Sequence, residues 1–309
     1  MPEIIHDGSL AGQIPEIPAF RPVSADVFEE RAQRLEALAH GSSLEPYLRF
    51  AAALSAAQDG VLRSFPPVPV PDVPTLAHCR EHGMPPLSID GHRRAPVWRE
   101  ALSQLVESLD RGALPTRGAA MIDGLRGIAA EKLEVAAERL LTGVYSEPDA
   151  AEAPFIAAAL QAYWVKMALQ LGHAATRTPA QIGSCPVCGS PPVASVVRIG
   201  GAQQGLRYLA CSLCCSEWHM VRIKCSACGS TKGVTYLGVE GGSEAIKAEC
   251  CDECRTYLKI FYLEKDTSLV PAADDLASLA LDMLVDQEGY NRIGPNLLFV
   301  PGDSGQREA

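Results

Sequence analysis

Four pairs of cysteines, each pair separated by two residues, carry the most specific chemical signal in the chain. Cys185-Pro-Val-Cys188 and Cys225-Ser-Ala-Cys228 are both followed by Gly-Ser and lie forty positions apart; Cys211/Cys214 recurs forty positions later as Cys251/Cys254. In each copy twenty-two residues separate the first pair from the second. That is an internal duplication, with room in each unit for two short strands and their turns. A CxxC turn lets two thiolates converge on one cation while backbone amides soften their charge, and the glycine after the second cysteine frees the turn. Pairing within each repeat places Cys185, Cys188, Cys211 and Cys214 around one ion and Cys225, Cys228, Cys251 and Cys254 around a second. An interleaved pairing of the first and third knuckles would leave the duplicated unit unable to close on its own metal. Four thiolates in tetrahedral array suit zinc and equally a single iron, so the expected cofactors are two metal ions, iron or zinc. Segments this small rarely fold without a staple, so a structural role for the ions is expected.

Cys211-Ser-Leu-Cys-Cys215 and Cys250-Cys-Asp-Glu-Cys254 each hold one thiol too many. On the forty-residue register Cys215 aligns with Arg255 and Cys250 with Ala210. Neither position is cysteine in both copies, so both are read as non-ligands: small packed side chains, or, in the sharper alternative, reactive thiols beside a metal.

Other constellations are weaker. His78 and His82 lie at i and i+4, but the glutamate that HExxH chemistry requires after the first histidine is missing and no third ligand is evident. His219 is read as a surface or neighbouring residue of the first cysteine unit. Gly200-Gly201 and Gly241-Gly242 look like hairpin turns. No phosphate-binding loop or nucleophile elbow is present, so no catalytic residues and no further cofactor-binding residues are assigned.

The elements that must position the knuckles divide the chain of 309 residues. Residues 1–180 read as helices: one after Ser24 with Phe28, Ala32, Leu35 and Ala39 on its stripe, one opening near Pro46, then Val97–Leu109, Thr116–Leu140 with Thr116 as N-cap, and Pro154–Leu171. Five prolines between Pro66 and Pro74 make an extended connection over the helical body. Beyond Thr178-Pro-Ala the chain turns β-prone around Ala194–Ile199, Leu206–Leu209, Gly233–Leu237 and Tyr257–Leu263. A last helix is expected over Ala273–Glu288. The fold class is therefore α+β: an all-α domain over 1–180, metal ribbons over 181–223 and 224–266, and a C-terminal helix and tail over 267–309.

The formal net charge is −10, which disfavours nucleic acid as a general partner. Between Cys185 and Lys265 nine Lys and Arg face seven Asp and Glu, so the ribbons offer no phosphate track. The N-terminal MPEIIHDGSL lacks the basic and apolar regions of an export signal, and Gln161, Lys166 and Gln170 interrupt the most apolar helix. A cytoplasmic protein without membrane insertion is expected, its clustered cysteines metal-bound rather than paired as disulfides.

Together, the four knuckles, the preceding helical region, Asp275-Leu-Ala-Ser-Leu-Ala-Leu-Asp-Met-Leu and Glu288-Gly-Tyr-Asn-Arg-Ile-Gly-Pro-Asn296 resemble the formate dehydrogenase accessory protein family, FdhE. The knuckle Cys-Pro-Val-Cys-Gly also resembles that of rubredoxins. The resemblance implies a maturation factor rather than an enzyme, one that binds the immature catalytic subunit of formate dehydrogenase in the cytoplasm and carries rubredoxin-like iron on the eight cysteines. A zinc-ribbon nucleic-acid binder and a rubredoxin-like electron carrier are the alternatives.

Overall fold

In the computed structural model, residues 17–110, 116–144, 151–175 and 183–299 are described. The N-terminal Met1–Leu10 stretch, the Thr178–Ala180 boundary and the tail from residue 300 lie outside them. A two-residue strand, β1 (Phe20–Arg21), precedes seven helices: α1 (Val27–Ala39), α2 (Glu45–Ser64), α3 (Val73–Glu81), α4 (Val97–Ser108), α5 (Thr116–Arg126), α6 (Ala130–Thr142) and α7 (Ala153–Leu171). Helix α7 is apolar from Ala153 to Val165 but for Gln161 and buried all round, with α2, α4 and α6 packed on it. The two glutamines that interrupt it, Gln161 and Gln170, have partners. Gln170 donates to Val68 O (2.7 Å) and accepts from Val68 N (3.0 Å), which pins the proline-rich connection onto the body.

Three expectations are corrected. The connection gives way to α3 before the prolines end, because Asp72 caps the Thr75 amide and Pro74 sits in the first turn, where its missing N–H costs nothing. The helix expected over Thr116–Leu140 is two, α5 and α6, broken where the Gly127 amide turns back to Gly124 O (3.1 Å); the Thr116 side chain lies outside the description. The expected C-terminal helix is also two, α8 (Pro271–Ala277) and α9 (Leu279–Gln287). Ser278 breaks it with ψ at 30° and an Oγ that donates to Asp274 O (2.7 Å).

The duplicated half forms β2 (Pro192–Val197), β3 (Arg207–Cys211), β4 (Glu217–His219), β5 (Val234–Leu237), β6 (Ile246–Cys251), β7 (Thr256–Tyr262) and, after the helices, β8 (Asn291–Arg292). Each repeat is a three-stranded antiparallel meander. The meanders join edge to edge through a parallel pairing of β2 with β7, giving one sheet in the order β1-β4-β3-β2-β7-β6-β5, with β8 also on β7. Across that join Arg207, fully buried, donates to Ser195 Oγ (2.6 Å) and to Glu249 Oε1 (2.5 Å). No described helix is long and apolar enough to cross a membrane.

The C-terminal segment is tied down by charge. Lys259 on β7 bonds Asp275 (3.0 Å) and Asp282 (2.5 Å), Arg292 bonds the same two carboxylates (2.6 and 3.0 Å), and Asn296 donates to Asp275 Oδ2 (2.9 Å). Burial pushes the Asp275 carboxyl up, but Arg292 and Lys259 outweigh it and hold it below its ordinary value. Gly294 fits the same loop because a Cβ there would lie 2.1 Å from Pro192 O. Replacing Asp275 by alanine leaves buried Lys259 and half-buried Arg292 to share Asp282 as their one remaining carboxylate and takes the acceptor from Asn296. The Asp275→Ala variant is expected to lose about 3–5 kcal/mol of stability, read as a lower denaturant midpoint for the metal-loaded protein.

Candidate metal centres

The eight cysteines of the CxxC pairs form two tetrads, with ligand atoms in each within 4.8 Å of one another. In the first, Cys185 and Cys214 Sγ are 3.5 Å apart and Cys188 and Cys211 Sγ 3.4 Å; in the second the corresponding separations are 3.7 Å (Cys225 to Cys254) and 3.8 Å (Cys228 to Cys251). A tetrahedron with metal–sulfur bonds of about 2.3 Å has edges of about 3.8 Å, so both tetrads fit one ion each. The local backbone is repeated as well. Cys185 N donates to Ser190 O (2.9 Å) and Cys225 N to Ser230 O (2.8 Å), and Gly189 and Gly229 adopt positive φ (80° and 75°) to close the turns. Amides point at sulfur in both: Val187 N to Cys185 and Ala227 N to Cys225, each 3.4 Å.

The surplus thiols stand outside the tetrads. Cys215 and Arg255 are the only non-glycine residues of positive φ among the described residues, at 57° and 53°. Their shared left-handed conformation reproduces the forty-residue register that pairs them. Arg31 Nη2 lies 3.3 Å from Cys215 Sγ, yet burial outweighs its attraction and pushes the thiol up to about 11. Cys250 is packed with Tyr257, Leu281, Val285 and Tyr290 beneath α9, where it behaves as a small core residue.

The two centres differ in their surroundings. All four sulfur residues of the first are buried in the main hydrophobic core, whereas Cys228 of the second is exposed and Cys254 half-buried. The helical body supplies the enclosure. Leu87 N and Ile89 N donate to Val187 O (2.8 Å) and Cys188 O (2.9 Å), so the chain after α3 lies along the first knuckle like an added strand, and Trp164 Nε1 holds Leu87 O (2.9 Å) from α7. On the other side Gln161 donates to Ser212 O (2.6 Å) and accepts from Arg31 Nη1 (2.9 Å) and Gln58 Nε2 (3.0 Å). Burial drives the Cys185 and Cys211 thiols well above their ordinary range, whereas at Cys188 burial is outweighed by hydrogen bonds from the neighbouring thiols, which take it well below. Gathering four thiolates in so dry a core calls for a cation among them. In the second centre burial raises the Cys254 thiol, but hydrogen bonds from Thr256 and the neighbouring thiols outweigh it and leave it at about 7.

Arg31 and Gln58 escaped the sequence reading and Gln161 entered it only as an interruption of the most apolar helix, although each is a polar residue on an otherwise apolar helical stripe; Ala32, assigned to the α1 stripe, is only half-buried while Arg31 is buried. The exposed His78 and His82 rings are 4.3 Å apart, and Glu81 lies close enough to join them, a third donor that the sequence spacing had not revealed. His219 packs its ring against Tyr208 on the neighbouring strand and belongs to neither tetrad.

A helical body closed around one of two four-cysteine metal-binding clusters defines a class: an α+β protein with two such clusters on one sheet. The model of the family described as "FdhE, N-terminal" matches residues 17–181, that of the FdhE central domain 184–222 and that of the FdhE C-terminal domain 223–299. A protein FdhE homolog of Edwardsiella ictaluri is 42% identical over 290 residues, covering 94% of this chain and 93% of its own length. One of Pseudomonas putida is 41% identical over 305 residues, covering 97% and 95%. The crystal structure of the FdhE protein from Pseudomonas aeruginosa superposes with a TM-score of 0.79 at 40% identity, over 92% of this chain and all (100%) of that one. The chain belongs to the FdhE family, and membership implies a role accessory to formate dehydrogenase.

The unequal burial predicts unequal release. In native mass spectrometry during chelator challenge, protein loaded with two ions is expected to pass through a long-lived one-ion form, the second ion leaving at least about tenfold more slowly. Cys228→Ser should abolish the fast phase and Cys188→Ser the slow one.

Proposed function

We propose that the chain is an assembly factor required for active formate dehydrogenase, which binds the immature catalytic subunit in the cytoplasm before that subunit is complete. The observation that carries this reading is family membership over the whole length, from the first helix to the Gly-Pro-Asn loop, rather than over the cysteine units alone. The protein acts by binding: the ribbons and the helical body form one rigid support for a partner, and it performs no turnover of its own.

Cys185, Cys188, Cys211 and Cys214 hold one ion and Cys225, Cys228, Cys251 and Cys254 the other. When bound, each ion supplies a tetrahedral cross-link between two turns of a repeat, and iron in the same place would add a one-electron couple. The chain's own contribution is the amide groups that soften the thiolate charge and, at the first centre, the core that excludes water. Rubredoxin-type iron gives anaerobically purified protein a colour that reduction bleaches, and zinc leaves it colourless.

In a strain deleted for the gene, formate dehydrogenase activity is expected to fall to background and to return with the wild-type chain. It should not return with a chain in which all eight cysteines are serine. The catalytic subunit should co-purify with the wild-type protein alone. Undiminished activity in the deletion strain contradicts the proposal.

A further inference from the structure

The sheet has two ends, and only one of them is finished. At the β4 end, β1 adds an antiparallel strand, with Phe20 opposite Trp218 and Arg21 opposite Glu217, and Ala19 O takes the His219 amide (3.0 Å). At the other end β5 is the last strand in the order. Its sequence, Val-Thr-Tyr-Leu, contains none of the lysines, prolines or inward-facing charges that ordinarily guard a free edge.

The duplication states what this edge is built to accept. Strand β5 opens the second repeat as β2 opens the first, and the outer edge of β2 is occupied by β7 in parallel: Ser195, Val196 and Val197 lie opposite Ile260, Phe261 and Tyr262, and Leu263 N donates to Val197 O (3.2 Å). In the second repeat Asp252 N donates to Gly233 O (2.9 Å), which turns residues 233, 235 and 237 toward β6 and the N–H and C=O groups of Val234 and Tyr236 outward. Among the described residues no hydrogen bond engages those outward groups. Apolar side chains gather beside them. Tyr236 is 40% exposed, Val239 42% and Ile223 65%, and the Tyr236 hydroxyl holds Arg222 O (3.1 Å), which brings the chain around Ile223 to β5.

We infer that the β5 edge is the docking strand for the partner, accepting a short extended segment of the immature catalytic subunit that runs parallel to β5 and carries β-branched or aromatic residues, as Ile260-Phe261-Tyr262 do on β2. This rests on the proposed function for the identity of the partner. Head-to-tail addition of a second copy is blocked: its equivalent of β7, the strand closing the first repeat, is β4, whose outer edge β1 already covers. A two-fold pairing of β5 with β5 would run antiparallel, unlike the parallel pairing that β7 makes with β2.

The test uses the full-length, metal-loaded protein co-expressed with the catalytic subunit. Tyr236→Pro removes an outward N–H and no β5–β6 bond; Tyr236→Ala keeps the N–H and removes the ring. Capture by Tyr236→Pro is expected to fall at least about tenfold and capture by Tyr236→Ala to stay within about threefold of wild type. Wild-type residues 234–237 should exchange backbone hydrogens more slowly in the complex than alone. If Tyr236→Pro loses an ion or its denaturation midpoint falls, the exchange measurement on the wild-type complex decides. Equal capture by a fully metallated Tyr236→Pro, or exchange over 234–237 that is unchanged by the partner, overturns the inference and leaves the proposed function standing. A self-associating chain whose dimer protects 234–237 overturns it too. A wild-type chain that captures no catalytic subunit overturns the proposed function and this inference with it.

Discussion

Four thiolates cannot share a dry core without a cation among them, and a cation there cannot hold its ligands unless the surrounding backbone is satisfied as well. The first tetrad meets both demands by borrowing from the helical body. Leu87 and Ile89 complete the hydrogen bonding of one knuckle, Gln161 that of the other, and Trp164 and Gln58 hold these groups in place. The same side chains form the part of the contact between the two halves that surrounds the first tetrad, beside the β1–β4 pairing and the Arg34–Asp274 ion pair. Removing the first centre would therefore open this part of the seam between helices and sheet.

The second centre carries no such burden. It closes the meander of its own repeat and lies toward solvent, and its link to the rest is the parallel strand pairing, the Arg207–Glu249 ion pair and the clamp of Lys259, Arg292 and Asn296 on Asp275. Burial pushes the Glu249 carboxyl up to about 7 despite Arg207, so this join is bought with desolvation and held by geometry. One duplicated unit has in this way given two centres of different character: one inside a core, one beside the open edge of a sheet.

Much of this was legible in the residues. The forty-residue repeat assigned the tetrads and set Cys215 and Cys250 apart, and the structure brings together the same two groups of four. Strands β2, β3, β5 and β7 fall on the β-prone runs, while β1, β4, β6 and β8 were missed: β1 and β8 are two residues long and β4 three, and Ile246–Cys251 mixes charged and small residues that carry no alternation. The helix breaks at Gly127 and Ser278 were hidden because apolar periodicity continues across them. What spacing could not supply is the seam itself. Arg31, Gln58 and Gln161 look like flaws in apolar stripes until the Ser212 carbonyl and the Cys215 thiol stand opposite them, and such contacts, more than fifty residues apart in several cases, leave no local pattern.

The claim that the first centre holds the seam is tested most directly by residue-resolved hydrogen exchange at the Leu87 and Ile89 amides while the centres are emptied one at a time. Both amides are expected to stay protected when only the second centre is emptied and to exchange rapidly once the first is lost. Protection that survives loss of the first ion, or that disappears with the second, would contradict it.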